Sequence, residues 1–579
     1  MSDKKSYRLS RSTAAEPLVN RWVAWAHLIS PAAYSLHLKN YQLDMMNSYL
    51  ADPKVHFNAC ADPKLRSGSF VEIPEERAPE LMRFMSDTID SHKDNLELAT
   101  SLFEFHDYLV REACGQSLEP YYEKLPPALG GFVELLYDYY NRPIVRFMEG
   151  LLYRSGYYKK EAQSLRLFHQ ERDNSRPFFL NTPRLPEEGK VEWHLPFDSP
   201  EVDQLFELDR RPKPLGYIRE LLGLGPDDDR HLMPLLSDEP ARRYRRWKEK
   251  DARVRYLGHA CLLVEYNGVT MLTDPCLGAA PGGGGMERVT YADLPDKIDY
   301  ALVTHNHQDH FHIETLLRLR HRIGCLVVPK SYGIFYGDVS LKLIAQNIGF
   351  RDVIEMDTLG SIPLPGGEII AVPFMGEHAD LPHGKTGYVI RLGNQQMLVA
   401  ADSDCLDRRV YEQIRKAIGP IETVFIGMEC VGAPLTWCCG PFFPAKPKFS
   451  HEQTRRYKGC DSARALDILE AIGARRLYVY AMGMEPWFEY LLGLGYSQDA
   501  PQILEAHKLI ERVRARGFDE AKLLFGPYDI RLEPLAAGSA LRDEAGEEAR
   551  EVPGLEVIEG EGGIEPHIPS APEPQFVFD

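Results

Sequence analysis

From residue 253 onward the chain sets short apolar runs between amphipathic tracts. Positions 254–257, 261–266 and 269–273 are apolar runs of strand length. Asn267-Gly268, between the last two, is the two-residue signature of a tight hairpin. The series continues at 298–304, 324–329, 367–373, 386–392, 397–401, 423–428 and 477–481. Between some of these runs, 313–322, 408–418 and 462–472 carry the helical period. Strands interspersed with helices over roughly 280 residues predict a layered α/β domain.

The chain before residue 253 has a different texture. A tract at 79–113 repeats Leu81, Phe84, Met85, Ile89, Leu96, Leu102, Phe103 and Leu109 near a 3.6-residue period and predicts helix. Aromatics then gather at 135–140 and at Tyr157-Tyr158, which we read as core and subunit interface. Proline, glycine and charge between 170 and 250 suggest loops and a boundary. From about 536 the chain is rich in Glu, Gly and Pro with few large apolar residues, as in a disordered tail. The expected division is 1–245, 246–535 and 536–579. That fits 579 residues, too many for a single core.

Composition narrows the partners. The formal net charge is −18, which disfavours nucleic acid. The one basic cluster, at 242–248, reads as an interdomain helix. No apolar core follows the N-terminus as in a signal peptide, and no apolar run approaches the ~18 residues of a membrane span. Ten cysteines without a Cys-x-x-Cys pair fit free thiols in a reducing compartment, so a cytoplasmic protein is expected.

Thr304-His305-Asn306-His307-Gln308-Asp309-His310 carries the chemistry. Three imidazoles and a carboxylate would cost too much as core packing. At a strand end, alternate residues can face two centres, His305 and His307 one metal, Asp309 and His310 another. Asp402 ends the apolar strand 397–401 and suits a bridge between them. Further ligands are expected near 375–380, where Glu377 and His378 both qualify, and after 481, where no histidine follows. Glu429, ending the run 423–428, is a carboxylate placed to substitute. His259 and Asp274 read as groups that orient ligands. Carboxylate-rich sites favour iron over zinc.

His-x-His-x-Asp-His is the signature of the metallo-β-lactamase superfamily, and the chain resembles it over about 253–533. Leu257-Gly258-His259-Ala260 and Met271-Leu-Thr-Asp274-Pro275 look like its opening hairpin. The resemblance implies an αββα sandwich preceded by an α+β N-terminal domain. The whole chain is similar to the diiron β-hydroxylase family of chloramphenicol biosynthesis. What that similarity implies is two Fe ions, with His305, His307 and Glu377 on one and Asp309, His310 and Glu429 on the other. Asp402 would bridge them, and Glu377 would be both ligand and catalytic residue. It also implies O2 as co-substrate and an aminoacyl group, thioester-linked to a carrier (thiolation) domain of a nonribosomal peptide synthetase, hydroxylated at its β-carbon. The N-terminal domain would make a homodimer and help to recognise the carrier. With no nucleotide fingerprint in the chain, an external electron-donor reductase is expected.

Two alternatives stay open at this point. A dinuclear zinc hydrolase on the same scaffold would use His378 at the metal and need no O2. A binding protein with a vestigial site is disfavoured by the complete motif. Ferritin-like diiron chemistry is excluded, since Glu-x-x-His occurs nowhere. His378 and His383 remain candidate contacts, and the loop 433–444, rich in proline and aromatics, a candidate channel wall.

Overall fold

Alternation and turn chemistry build the centre of the molecule. The computed structural model of the protein describes residues 5–240, 244–248, 251–282, 284–376, 384–493 and 495–532. Glu377, His378, His383 and the tail expected from 536 lie outside them. Two seven-stranded sheets face each other. The first runs Val353–Met356, Ile323–Pro329, Ile298–Leu302, Val269–Thr273, Cys261–Tyr266, Ala252–Gly258, Tyr528–Leu532. The second runs Ser361–Leu364, Gly367–Val372, Gly387–Leu392, Gln395–Val399, Thr423–Ile426, Arg476–Val479, Glu520–Leu523. In each, an antiparallel part adjoins a parallel part. The hairpin turns at Asn267-Gly268, both with positive φ (47° and 79°) as that turn requires.

Period-two burial then fixes the layers. Val254, Tyr256, Leu262, Val264 and Met271 of the first sheet meet Ile369, Tyr388, Ile390, Met397 and Phe425 of the second. The outer face of the second sheet packs on the helices Arg408–Ile418, Ser462–Ile472 and Pro501–Ala515. The outer face of the first packs on Ile313–Leu319 and Leu341–Asn347, in a core that continues without a break into the N-terminal half. The αββα arrangement expected from the motif is therefore present, with a mixed α/β half ahead of it.

The join between the halves is specific. The helix Ile313–Leu319 is buried along its whole length, charges included. Its Arg318 forks onto Asp209 (2.8 and 2.5 Å) and donates to Thr13 O. Its Glu314 takes Arg176 at 2.6 Å and the backbone N–H of Ala15. Buried charges persist only when paired in this way.

Local expectations differ in four places. The helical tract at 79–113 is two helices, Ala78–Ser91 and Lys93–Glu112, broken where His92 leaves the helical basin (φ −117°, ψ 22°) and buries itself against Tyr34. The aromatic run at 135–140 is a hairpin, Val133–Tyr137 with Pro143–Phe147. Its tip puts Tyr139 and Tyr140 in solvent instead of the core. Residues 244–248 form no helix. There Trp247 bonds Asp251 O and stacks under Arg253 and Arg531, so side-chain packing, not helical periodicity, orders the segment. Finally, the loop-like region 170–250 contains the helices Pro200–Glu207 and Leu215–Leu222.

Candidate metal centre

The strand Ile298–Leu302 delivers Thr304 to His310 at the edge of the sandwich. His310 N and Phe311 N both bond His307 O, curling the loop into one tight turn before the helix Ile313–Leu319. Every residue of this loop is buried. Imidazoles and carboxylates withdrawn from water need compensation.

The distances show what would compensate them. Ligating atoms of His305, His310 and Asp402 all lie within 4.8 Å of one another, as do those of His259, Asp309 and His310. His310 Nε2 is 3.0 Å from Asp402 Oδ2 and 3.5 Å from Asp309 Oδ2. His305 Nε2 is 3.8 Å from Asp402 Oδ2. The His307 ring stands edge-on to His305 at 4.8 Å and against Tyr457 at 5.4 Å. Yet His310 Nε2 and Asp402 Oδ1, both buried, make no hydrogen bond among the described residues. Burial alone would push the His310 imidazole down; Asp309, Asp402 and Asp274 overcome it and hold the group well above the usual histidine range. His305 moves the other way, lowered by burial and by its neighbours His310 and His307. Buried nitrogen and carboxylate groups converging in this way, with no thiolate among them, fit a bound metal ion.

Surrounding groups settle which ring nitrogen faces inward. Asp274 takes His310 Nδ1 at 2.9 Å and the Thr304 N–H and hydroxyl at 2.7 and 2.8 Å. Since the Thr304 proton goes to Asp274, the Thr304 oxygen accepts from His305 Nδ1 at 3.0 Å. In both rings Nδ1 is held from behind and Nε2 is turned toward the cluster. His259 Nε2 donates to Asp309 Oδ2 at 2.7 Å. Four non-glycine residues at strand ends here, His259, Asp274, Ala401 and Ala481, have positive φ (52°, 34°, 46° and 55°). Such backbone costs about 1–3 kcal/mol per residue and concentrates at functional sites. Each is tied down, Asp274 N to Leu302 O, Ala481 N to His259 O, and Gly427 N to Ala401 O. A Cβ at Gly427 would come within 2.6 Å of Asp402 Oδ1, so only glycine leaves that carboxylate its place.

Of the expected ligands, the structure brings His305, Asp309, His310 and Asp402 into the two clusters and sets His307 beside them. It does not bring Glu429 in. Gly432 N–H (2.9 Å) and Gln502 (2.7 Å) donate to one of its oxygens and Tyr496 to the other. Burial raises its pKa, and those three donors oppose the rise. Glu377 and His378 lie outside the described residues, but the segment's base is anchored. Lys385 Nζ donates to Gly376 O, and Gly384 N–H donates to Asp338 Oδ1 at 2.7 Å.

Sequence reasoning missed the approach from the N-terminal half. His27 Nε2 donates to Gly337 O at 3.0 Å, and the same carbonyl accepts from Asn306 inside the motif at 3.3 Å. Trp25, His37 and Phe442 pack on His27, with ring centroids 4.4, 5.7 and 4.9 Å away. Phe442 comes from the loop 433–444, so that loop is packed against the N-terminal half near the site. No spacing signal marks His27, because its partner is more than 300 residues away.

Comparison with known proteins agrees with this architecture. The family model for a diiron non-heme β-hydroxylase N-terminal domain matches residues 8–240, and that for a β-lactamase superfamily domain matches 253–367. A curated relative from Streptomyces venezuelae, 4-amino-L-phenylalanyl-[CmlP-peptidyl-carrier-protein] 3-hydroxylase, is 35% identical over 523 residues, 88% of this chain and 97% of its own. The crystal structure of CmlA, a diiron β-hydroxylase from Streptomyces venezuelae, superposes with a TM-score of 0.85 at 33% identity, over 91% of this chain and 100% of that one. A metal-dependent hydrolase from Methanopyrus kandleri is also 35% identical, but over 123 residues, 21% of this chain and 46% of its own.

Proposed function

The chain belongs to the diiron non-heme β-hydroxylase family, and on that footing we propose that it hydroxylates the β-carbon of an aminoacyl group tethered to a nonribosomal peptide synthetase carrier domain. It is an oxidoreductase of natural-product biosynthesis, and the family implies iron. The observation that carries the reading is the extent of the match. It takes in the N-terminal half together with the metal loop, whereas the hydrolase relatives share about a quarter of the chain or less. That ranks the hydroxylase above the zinc hydrolase.

In this reading His305, His307 and Glu377 would hold one iron, Asp309, His310 and Glu429 would hold the other, and Asp402 would serve both. Two irons so held would supply reductive activation of O2. One oxygen atom enters the C–H bond and the other leaves as water, with two electrons and two protons from an external reductase. The chain's own residues do the positioning. Asp274 and Thr304 orient the rings of His310 and His305, and His259 holds Asp309 by one oxygen. The buried loop keeps water from the centre. We extend the proposal to a cytoplasmic homodimer paired through its N-terminal half, and to a division near residue 245. No helix among the described residues is long and apolar enough to cross a membrane.

The test is metal analysis with Mössbauer spectra of freshly purified protein, followed by mass spectrometry of aminoacyl-loaded carrier. Two irons per chain, and gain of one isotopically labelled oxygen from O2 only when reductant is present, is the expected result. Two zincs, or turnover without O2, would sink it.

A further inference from the structure

A second site lies in the N-terminal half, on the sheet formed by Trp22–Val23, Thr13–Val19, Gln163–His169 and Val191–His194. Strand alternation sends Ala15, Leu165 and Leu167 into the core. It sends Glu16, Arg166 and Phe168 to the other face, with Glu16 directly opposite Arg166 across the ladder. That face is one wall of a cavity of about 610 Å3. The volume suits a small organic ligand.

The cavity concentrates positive charge in an otherwise acidic protein. Arg166, Arg176 and Arg184 form its buried floor, and Arg77, Arg172, Lys190 and Arg230 surround them. Five glutamates line it against these seven cations. Glu16 is taken by Arg184 through two bonds (2.9 and 3.0 Å), and Glu187 is shared by Arg166 and Lys190. Arg77 and Arg176 spend their ion pairs on Glu80 and Glu314, outside the cavity. Arg172 and Arg230 are exposed. Neither makes an ion pair with a carboxylate among the described residues.

Buried groups here go unmatched, one acceptor, Glu72 Oε2, among them. The Nε–H groups of Arg166 and Arg176 are fully buried without a hydrogen-bond partner among the described residues. Guanidinium donors withdrawn from water and left unmatched are costly. Burial and the neighbouring Arg184 lower the pKa of Arg166, and burial and Arg166 lower that of Lys190. Arg176 and Lys190 also stand over the Phe168 ring, at 5.1 and 5.0 Å, which holds both cations in place.

We infer that this cavity binds a phosphate ester, with Arg166 and Arg176 at its floor and Arg172, Lys190 and Arg230 at its mouth. A lone carboxylate would satisfy two donors and leave the rest unmatched. A phosphoryl group offers several oxygens to forked guanidinium donors. The site is not isolated from the metal loop, because Arg176 also pairs with Glu314 in the helix that follows His310. The inference does not depend on the hydroxylase reading.

Two sources of such a group exist, the phosphodiester of a carrier's pantetheine arm and a free phosphorylated metabolite. Calorimetric titration of the full chain with pantetheine 4′-phosphate, inorganic pyrophosphate and unphosphorylated pantetheine tests the site and separates them. Saturable binding of the phosphorylated probes alone is expected. It should weaken on the order of tenfold or more in the Arg172→Ala/Arg230→Ala double variant, which changes only exposed side chains and should keep the wild-type Tm. Tighter binding of pantetheine 4′-phosphate assigns the carrier arm; tighter binding of pyrophosphate assigns a free ligand. Absence of saturable binding, equal binding of unphosphorylated pantetheine, or wild-type affinity in the double variant would each overturn the proposal.

Discussion

Asp274 Oδ2 accepts from His310 Nδ1 at 2.9 Å, in a site where neither residue is exposed to solvent. A carboxylate behind an imidazole fixes its orientation and raises its basicity toward a metal, and losing such a partner typically costs about 10–100-fold in affinity. Asp274→Asn should therefore lose iron on dialysis against chelator at concentrations the wild type withstands. Metal analysis of the dialysed protein reads this, with circular dichroism as the check on folding. Iron retention equal to wild type would show that the contact is only structural.

Glu429 gives a sharper choice. Its oxygens are engaged by Tyr496, Gln502 and Gly432. As a metal ligand it has one lone-pair site left, on the oxygen that also accepts from Tyr496. Glu429→Gln should then hold close to one iron per chain, whereas Tyr496→Phe, which removes only a competitor, should hold two. If Glu429→Gln keeps both irons and merely lowers Tm, the glutamate is a buried hydrogen-bonding group and no more.

His27 links the N-terminal half to the motif through Gly337 O, which Asn306 also uses. His27→Phe keeps the packing against Trp25 and Phe442 but removes the donor. We expect a stability loss of roughly 1 kcal/mol and an unchanged iron content. We also expect kcat to fall more than KM changes, because the loop loses a restraint. An effect confined to Tm would mean that the link does not reach the centre.

Glu149 predicts a pH dependence remote from the metals. Burial pushes its carboxyl up from 4.5 to about 7, with Asp338 adding to the rise. The folded state then binds the extra proton, so stability is full below pH 4.5 and falls as pH rises through about 7. The whole drop is of order 3 kcal/mol at most. Glu149→Gln should flatten the Tm profile across that window. An unchanged slope would move the titration to another group.

Much of the scaffold was legible because its signals are local. The hairpin at Asn267-Gly268 and the helices Arg408–Ile418 and Ser462–Ile472 sit where turn chemistry and periodicity placed them. The strands Val353–Met356 and Ser361–Leu364 were not visible, since edge strands with one exposed face carry a weak apolar pattern. For Tyr139 and Tyr140 the core part of the core-and-interface expectation failed, because composition cannot separate a core cluster from a hairpin tip.

By itself the sequence determined the motif from His305 to His310 and the fold that such a motif serves. Each of these depends on residue type and on separations of a few positions, and a chain carries that information locally. Tertiary structure alone decided which histidine Asp274 stands behind, that Tyr496 and Gln502 hold Glu429, and that Arg166 faces a cavity. It also decided that His27 reaches Gly337 from the other half of the molecule. These contacts join residues tens to hundreds of positions apart. They are fixed by how the layers pack, and no local pattern encodes them.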